Sequence, residues 1–208
     1  MTTAVEPLSL PGVVAPPVTR AATKAAGDFF ETPAPITQAV WRSLYPRGLP
    51  GLDVLDPCAG RGAILQAIDR SEASRHVQGP KLRGIELDVG RAIECQRLHR
   101  CEVADAFTVD WGRPDLVVMN PPFCLAQEFV EAALARVTPG GSVVALLRLA
   151  FLESAKRVPF HKAQPSTVLI LSSRPSLTAN GKTDSSAYAW FVFEPGVKRE
   201  WEILEVGR

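Results

Sequence analysis

Cysteine and histidine are both scarce in this chain, and neither is spaced for metal chemistry. Cys58, Cys95, Cys101 and Cys124 include no Cys-x-x-Cys pair, which argues against a zinc site and a disulfide framework. His76, His99 and His161 are scattered, without triad or metal-ligand spacing. Long apolar runs are missing too: none approaches the roughly 20 residues of a membrane span. No charged-then-apolar leader opens the chain, so a cytoplasmic protein without a membrane partner is expected. Internal repeats are absent. A strong charge imbalance is lacking as well, and the formal net charge of +1 neither suggests nor excludes a polyanionic partner.

What is present is the composition of a globular chain, 208 residues with 46% hydrophobic and 22% charged side chains. That length fits one domain with a substantial core. Residues 1–26 are rich in Pro, Ala, Thr and Val without periodicity and are expected to form a flexible arm. Residues 27–208 are expected to be one domain. Charge is unevenly spread: between Arg148 and Lys182 six Lys/Arg face the single acid Glu153, a local basic surface that could meet phosphates.

Strand and helix patterns alternate along the ordered part. A helical face runs from Pro35 to Tyr45, with Ile36, Ala39, Val40 and Leu44 inward. Strands are predicted over 52–56, 82–88, up to about Ala104, 115–119, 141–152, 166–173 and 187–194, with a possible edge strand in "WEILEV". Helices are predicted over 62–75, from 88 to about Arg100, and over 126–137. The alternation predicts an α/β fold, a doubly wound, seven-stranded and mostly parallel sheet. Such sheets bind ligands at the carboxyl ends of their strands, near the point where strand order reverses.

The loops at those ends carry the chemistry. "DPCAGRG" (56–62) joins the first strand to the first helix, and Gly60 and Gly62 permit tight turning and close approach by a ligand. A dinucleotide loop would read G-x-G-x-x-G and receive a pyrophosphate. Here Asp56 leads instead, and an acid suits a cationic group better than a diphosphate. The second strand delivers Glu86, 24 positions after Gly62, where nucleotide sites place a carboxylate on ribose hydroxyls. Asp105 follows the third strand and can accept from an adenine amine, with Phe107 able to cover the ring. An acid after a strand is often only a cap or turn former. Three at successive strand ends around a glycine loop describe an adenosine pocket without phosphates, which S-adenosylmethionine fits.

After the fourth strand comes "NPPF", Asn120-Pro121-Pro122-Phe123. Asn-Pro and Pro-Pro are ordinary turn signals. With DPCAGRG, GIELD, ADAF and the N-terminal "FFETP" (29–33), however, the sequence resembles the S-adenosylmethionine-dependent amino-methyltransferases of the N6-adenine type. "NGKTDSSAYAWFVFEPG" further resembles small phage and prophage members. The resemblance implies a Rossmann-like class I methyltransferase fold. It implies cofactor contacts from Phe30, Thr32, Asp56, Cys58, Ala59, Gly60, Gly62, Glu86, Leu87, Asp105, Ala106, Phe107 and Asn120. Thr32 is expected near the methionine carboxylate. Family members that methylate specific DNA sequences usually carry a target-recognition domain, and residues 27–208 leave no separate one.

The tetrapeptide suits that chemistry. An exocyclic adenine amine is a poor nucleophile because its lone pair is delocalised. Asn120 Oδ1 and the Pro121 carbonyl are acceptors that can turn the nitrogen towards a tetrahedral form. Pro121 and Pro122 restrict the loop, and Phe123 can stack on the base. Tyr188 or Trp190 is expected on the other side of that stack, and Lys156, Arg157 and Lys182 on the nucleic acid. DNA is the expected partner, with RNA or single strands open. Guanine N2 in RNA and glutamine in proteins suit the same acceptors, and a non-catalytic binding protein is the alternative of another class.

Overall fold

A computed structural model of the chain describes residues 30–73, 78–176, 185–196 and 200–206. The arm predicted over 1–26 and Lys182 lie outside the described residues. Eight strands form one sheet: β1 (Asp53–Asp56), β2 (Lys81–Glu86), β3 (Arg100–Val103), β4 (Leu116–Met119), β5 (Ser142–Arg148), β6 (Thr167–Leu171), β7 (Tyr188–Phe193) and β8 (Glu200–Leu204). Their spatial order is β3-β2-β1-β4-β5-β7-β6-β8. Every pairing is parallel except those of β7, which runs antiparallel between β5 and β6.

The helices α1 (Ala34–Leu44), α2 (Ala63–Glu72), α3 (Val89–Gln96), α4 (Ala126–Arg136) and α5 (Val158–Ala163) cover the sheet. Alternating residues of each strand feed opposite layers. Val54, Val118, Val144 and Trp190 pack with Ile36, Val40 and Trp41 of α1 and Ile64 and Ile68 of α2. Leu55, Val117, Val143 and Phe191 pack with Phe129 and Val130 of α4 and Phe160 of α5. With both faces covered, central strands read as unbroken apolar runs, and β4 and β7 are buried at every position. Each large aliphatic side chain buried as completely as Leu55 or Leu146 contributes roughly 1.5–3 kcal/mol.

Local chemistry sets the element ends that matter to function. Gly62, with φ +87°, starts α2 from a left-handed conformation that a side chain would resist. Asp88 caps α3 by accepting from the Arg91 backbone N–H at 2.9 Å. Gly84 in β2 lets the glycine loop press onto the sheet: a Cβ there would sit 2.6 Å from the Ala59 Cβ.

The fold agrees with the doubly wound expectation, with two differences. The sheet has an eighth strand, because β8 pairs in parallel with β6 along Thr167↔Glu200 to Leu171↔Leu204. A short helix, α5, follows β5 where only a loop was expected. Six residues with Pro159 near their start give too little periodicity to read. No helix among the described residues is long and apolar enough to cross a membrane.

Candidate active site

The strand order reverses between β1 and β4, where the loops after the two strands separate and open a crevice. Asp56 closes β1 and Asn120 follows β4, so both project at that point. A cavity there is lined by Phe30, Thr32, Asp56, Cys58, Ala59, Gly60, Glu86, Leu87, Asp105, Ala106, Phe107 and Asn120. Gly62 stands behind the wall rather than in it, where a Cβ would meet the Cys95 Sγ at 3.1 Å, and shapes the loop from there.

Asp56 is 1% exposed. Its Oδ1 accepts from the Cys58 backbone N–H at 3.1 Å and the Cys58 thiol at 3.6 Å. Burial, reinforced by the nearby Glu86 charge and offset by those bonds, pushes the Asp56 carboxyl up to about 7. Burial also pushes the Cys58 thiol up, opposed by a hydrogen bond from the Asn120 backbone N–H. The Cys58 sulfur therefore sits between the loop after β1 and the loop after β4.

Glu86 is held on both oxygens. Oε2 accepts from Gly60 N–H at 2.8 Å, fixing the glycine loop to the end of β2. Oε1 accepts from Asp88 N–H at 2.8 Å and from Arg91 Nη2 at 2.9 Å and Nε at 3.2 Å. Oε2 carries the Gly60 bond alone, so its second lone pair is the one left for a ligand hydroxyl. Asp105 is only half used: Oδ1 accepts from Phe107 N–H at 2.9 Å, whereas Oδ2 is buried without a partner. An orphaned carboxylate oxygen in a cavity wall calls for a donor from a ligand. Phe107 packs on Phe129 at 4.6 Å between centroids and supplies a flat apolar neighbour to that oxygen.

Asn120 uses its side-chain nitrogen twice, donating to Phe30 O at 3.1 Å and to Thr32 Oγ1 at 2.9 Å. Both amide hydrogens are thereby committed, and Oδ1 is the atom left to accept from a ligand. Thr32 lines the cavity, and its hydroxyl oxygen accepts from this amide, which leaves the hydroxyl proton for a ligand carboxylate. Pro122 lines the cavity, Pro121 is buried, and Phe123 lies outside the lining, stacked at 5.5 Å and 22° on Phe30.

The remaining predicted contacts separate. Trp190 is 0% exposed, inside the α1–α2 layer, and offers no ring face to a base. Tyr188 is buried in the same layer, because positions two apart on β7 share one face. Its ring nevertheless reaches Phe123 at 5.6 Å. Lys156 is exposed, while Arg157 is half-buried and donates to the Phe151 carbonyl at 3.1 Å. Sequence reading missed Arg61, Ile64, Arg91, Leu125 and Phe129 in the cavity wall. Arg61 lay inside the quoted glycine loop. The others project from helices, where only the tertiary packing shows which face meets the cavity. Among the described residues no cluster of His, Cys, Asp and Glu could hold a metal ion.

The cavity wall carries four carboxylates, Glu31, Asp56, Glu86 and Asp105, against the guanidinium groups of Arg61 and Arg91. A ligand with positive charge, ring-borne donors and hydroxyls fits this wall. A diphosphate does not.

Comparison with known proteins defines the class of fold. No protein-family model matches the sequence, and no curated protein matches it. The structure is similar to a protein assigned as the modification subunit of a type I restriction enzyme from Vibrio vulnificus. The TM-score is 0.63 and the identity 17%, over 89% of this chain and 49% of that one. It is similar to a protein assigned as a class I S-adenosylmethionine-dependent methyltransferase from Listeria monocytogenes, with TM-score 0.59 and 16% identity over 82% and 62% of the chains. It is also similar to a protein assigned as an RNA methyltransferase from Pyrococcus horikoshii, with TM-score 0.62 and 18% identity over 79% and 85%. The chain thus has the class I methyltransferase fold. It spans about half the length of the type I modification subunits it matches.

Proposed function

We propose that this chain transfers a methyl group from S-adenosylmethionine to a planar exocyclic amine, the N6 of adenine in DNA. The observation that carries the reading is the fixed amide of Asn120, with Oδ1 left to accept in the wall of the acid-lined cavity. Asp56 would hold the amino-acid ammonium, Glu86 a ribose hydroxyl, and Asp105 Oδ2 the adenine amine of the cofactor. When bound, the cofactor supplies an electrophilic sulfonium methyl. The cationic character of that group agrees with the surplus of carboxylates in the wall.

The chain's own contribution is position. Asn120 Oδ1 and the Pro121 carbonyl accept the two N–H bonds of the target amine, drawing its lone pair out of conjugation. Because Phe30 and Thr32 already hold the Asn120 amide, little ordering is left for the reaction itself. The methylated ammonium is a strong acid and sheds its proton to solvent, so no strong base is required. In a duplex the adenine must leave the stack, at a cost of a few kcal/mol.

An RNA base is the second reading. It is favoured by the likeness to a protein assigned as an RNA methyltransferase that this chain matches over most of both lengths. The test is transfer of labelled methyl to unmethylated duplex DNA, single-stranded DNA, total RNA and protein. Label in DNA is the expected result. Label confined to RNA transfers the reading to RNA, label confined to protein removes the nucleic acid, and bound cofactor with no label makes the chain a binding protein.

A further inference from the structure

The ring that should receive the target base is already covered. Arg148 lays its guanidinium over Phe123, with Cζ 4.4 Å from the ring centroid. Arg148 is the last residue of β5 and stands in register with Tyr188 on β7. Its Nε donates to the Tyr188 hydroxyl at 3.2 Å, and Tyr188 in turn tilts against Phe123 at 5.6 Å and 51°. A buried tyrosine thus holds a planar cation over the one aromatic ring of the Asn-Pro-Pro-Phe loop.

A guanidinium plane and a nucleobase plane make the same kind of contact with a phenyl face, and of comparable strength. They compete for that face. A guanidinium is charged at every working pH, so when a base takes the ring a cation stands beside the substrate. A polynucleotide brings a phosphate with each base, and a planar guanidinium matches phosphate geometry. The geometry points to an exchange. Arg148 occupies the base's stacking place on Phe123 in the resting site. It yields that place to the target base and takes a phosphate flanking the target nucleotide. Arg148 is then a positioning residue that selects a polyanionic substrate over a neutral peptide, and the inference rests on the base-methylation reading above.

The experiment compares wild type with Arg148→Ala, Arg148→Lys and Arg148→Gln, each with S-adenosylhomocysteine bound. The probe is a single-stranded oligonucleotide with 2-aminopurine at the target position. Affinity and fluorescence are read across a series of salt concentrations. Loss of one phosphate contact should lower the slope of log K against log salt by about 0.7 in Arg148→Ala. Arg148→Lys should restore the slope, since it keeps the charge. The stacking-quenched fluorescence at saturation should survive in Arg148→Ala, because the base no longer needs the guanidinium displaced. Arg148→Gln, neutral and able to hydrogen-bond Tyr188, reads the same slope should the alanine variant fail to bind cofactor.

Equal slopes in wild type and the neutral variants would overturn the exchange. So would loss of quenching at saturation, which would make the guanidinium a fixed wall of the base site. If wild type methylates DNA or RNA and either of these results is found, only the exchange fails. If wild type methylates neither, the base-methylation reading fails and the exchange falls with it.

Discussion

Asn120 donates its side-chain amide to the Thr32 hydroxyl at 2.9 Å, joining positions 88 residues apart in the chain. The bond fixes the rotation of the amide and so decides which atom faces a ligand. Thr32→Val removes one buried hydrogen bond, worth about 1 kcal/mol, and should slow single-turnover methyl transfer by up to about tenfold. Asn120→Ala removes the acceptor itself and should cost on the order of 10²–10³ in rate. Cofactor affinity, read by calorimetry, should move less than about threefold in Asn120→Ala, a loss well under 1 kcal/mol. A parallel fall in affinity and rate would make Asn120 structural.

Asp56 makes cofactor binding pH-dependent. Its carboxyl is raised to about 7 by burial, and a bound ammonium favours the ionised form. Below that value the site must lose a proton before it receives the cation. Affinity should therefore weaken as pH falls from 8 to 6, approaching tenfold per pH unit below 7. Calorimetry at pH 6.5 in buffers of different ionisation enthalpy should report proton release. Asp56→Asn should bind more weakly and with a flat pH profile.

Asp105 Oδ2 predicts opposite effects on stability and binding. A buried acceptor without a partner is a cost to the folded chain. Asp105→Asn should leave the melting temperature of the cofactor-free protein unchanged or higher. It should weaken cofactor binding by about 1–3 kcal/mol, the cost of an unmatched polar group. Reduced melting temperature with unaltered affinity would show that Asp105 serves only the turn after β3.

Gly84→Ala tests the packing beneath the glycine loop. The new Cβ falls 2.6 Å from the Ala59 Cβ, so the loop must lift. Overpacking of this kind costs typically 1–3 kcal/mol, and denaturant unfolding should show it. Because Ala59 and Gly60 line the cavity, cofactor affinity should fall in the same variant. Ala59→Gly in the Gly84→Ala background should recover much of both losses.

The strand-end loops were legible because their signals are local. An acid after a buried run, a glycine pair before a helix and a doubled proline each reveal a turn within a few residues. The two-layer core followed from the same runs, since β4 is apolar at four successive positions. What escaped depends on register between distant strands. Tyr188 and Trp190 share a face of β7, and only the pairing with β5 and the packing of α1 and α2 decide that this face is core. Arg148 was visible as one charge in a basic segment. Its place over Phe123 arises from the end of β5 meeting the start of β7 and from the loop after β4, three segments with no common pattern. Lys156 is exposed as that basic segment suggested, whereas Arg157 is drawn into carbonyl contacts at Ala150 and Phe151.

The basic surface now divides into a clean and a mixed test. Lys156→Ala should reduce the salt slope of nucleic-acid binding by about 0.7–0.9 without lowering the melting temperature. Arg157→Ala should lower both, because it also releases the turn after β5.

The most direct measurement is nucleoside mass spectrometry on an oligonucleotide with one adenine, after incubation with the protein and S-adenosylmethionine. A matched strand carries purine, which lacks the exocyclic amine, in that adenine's place. N6-methyladenine should form on the first strand, none on the second, and with Asn120→Ala it should form on the order of 10²–10³ more slowly. Methylation of the purine strand, or an unchanged rate with Asn120→Ala, would contradict the N6 reading.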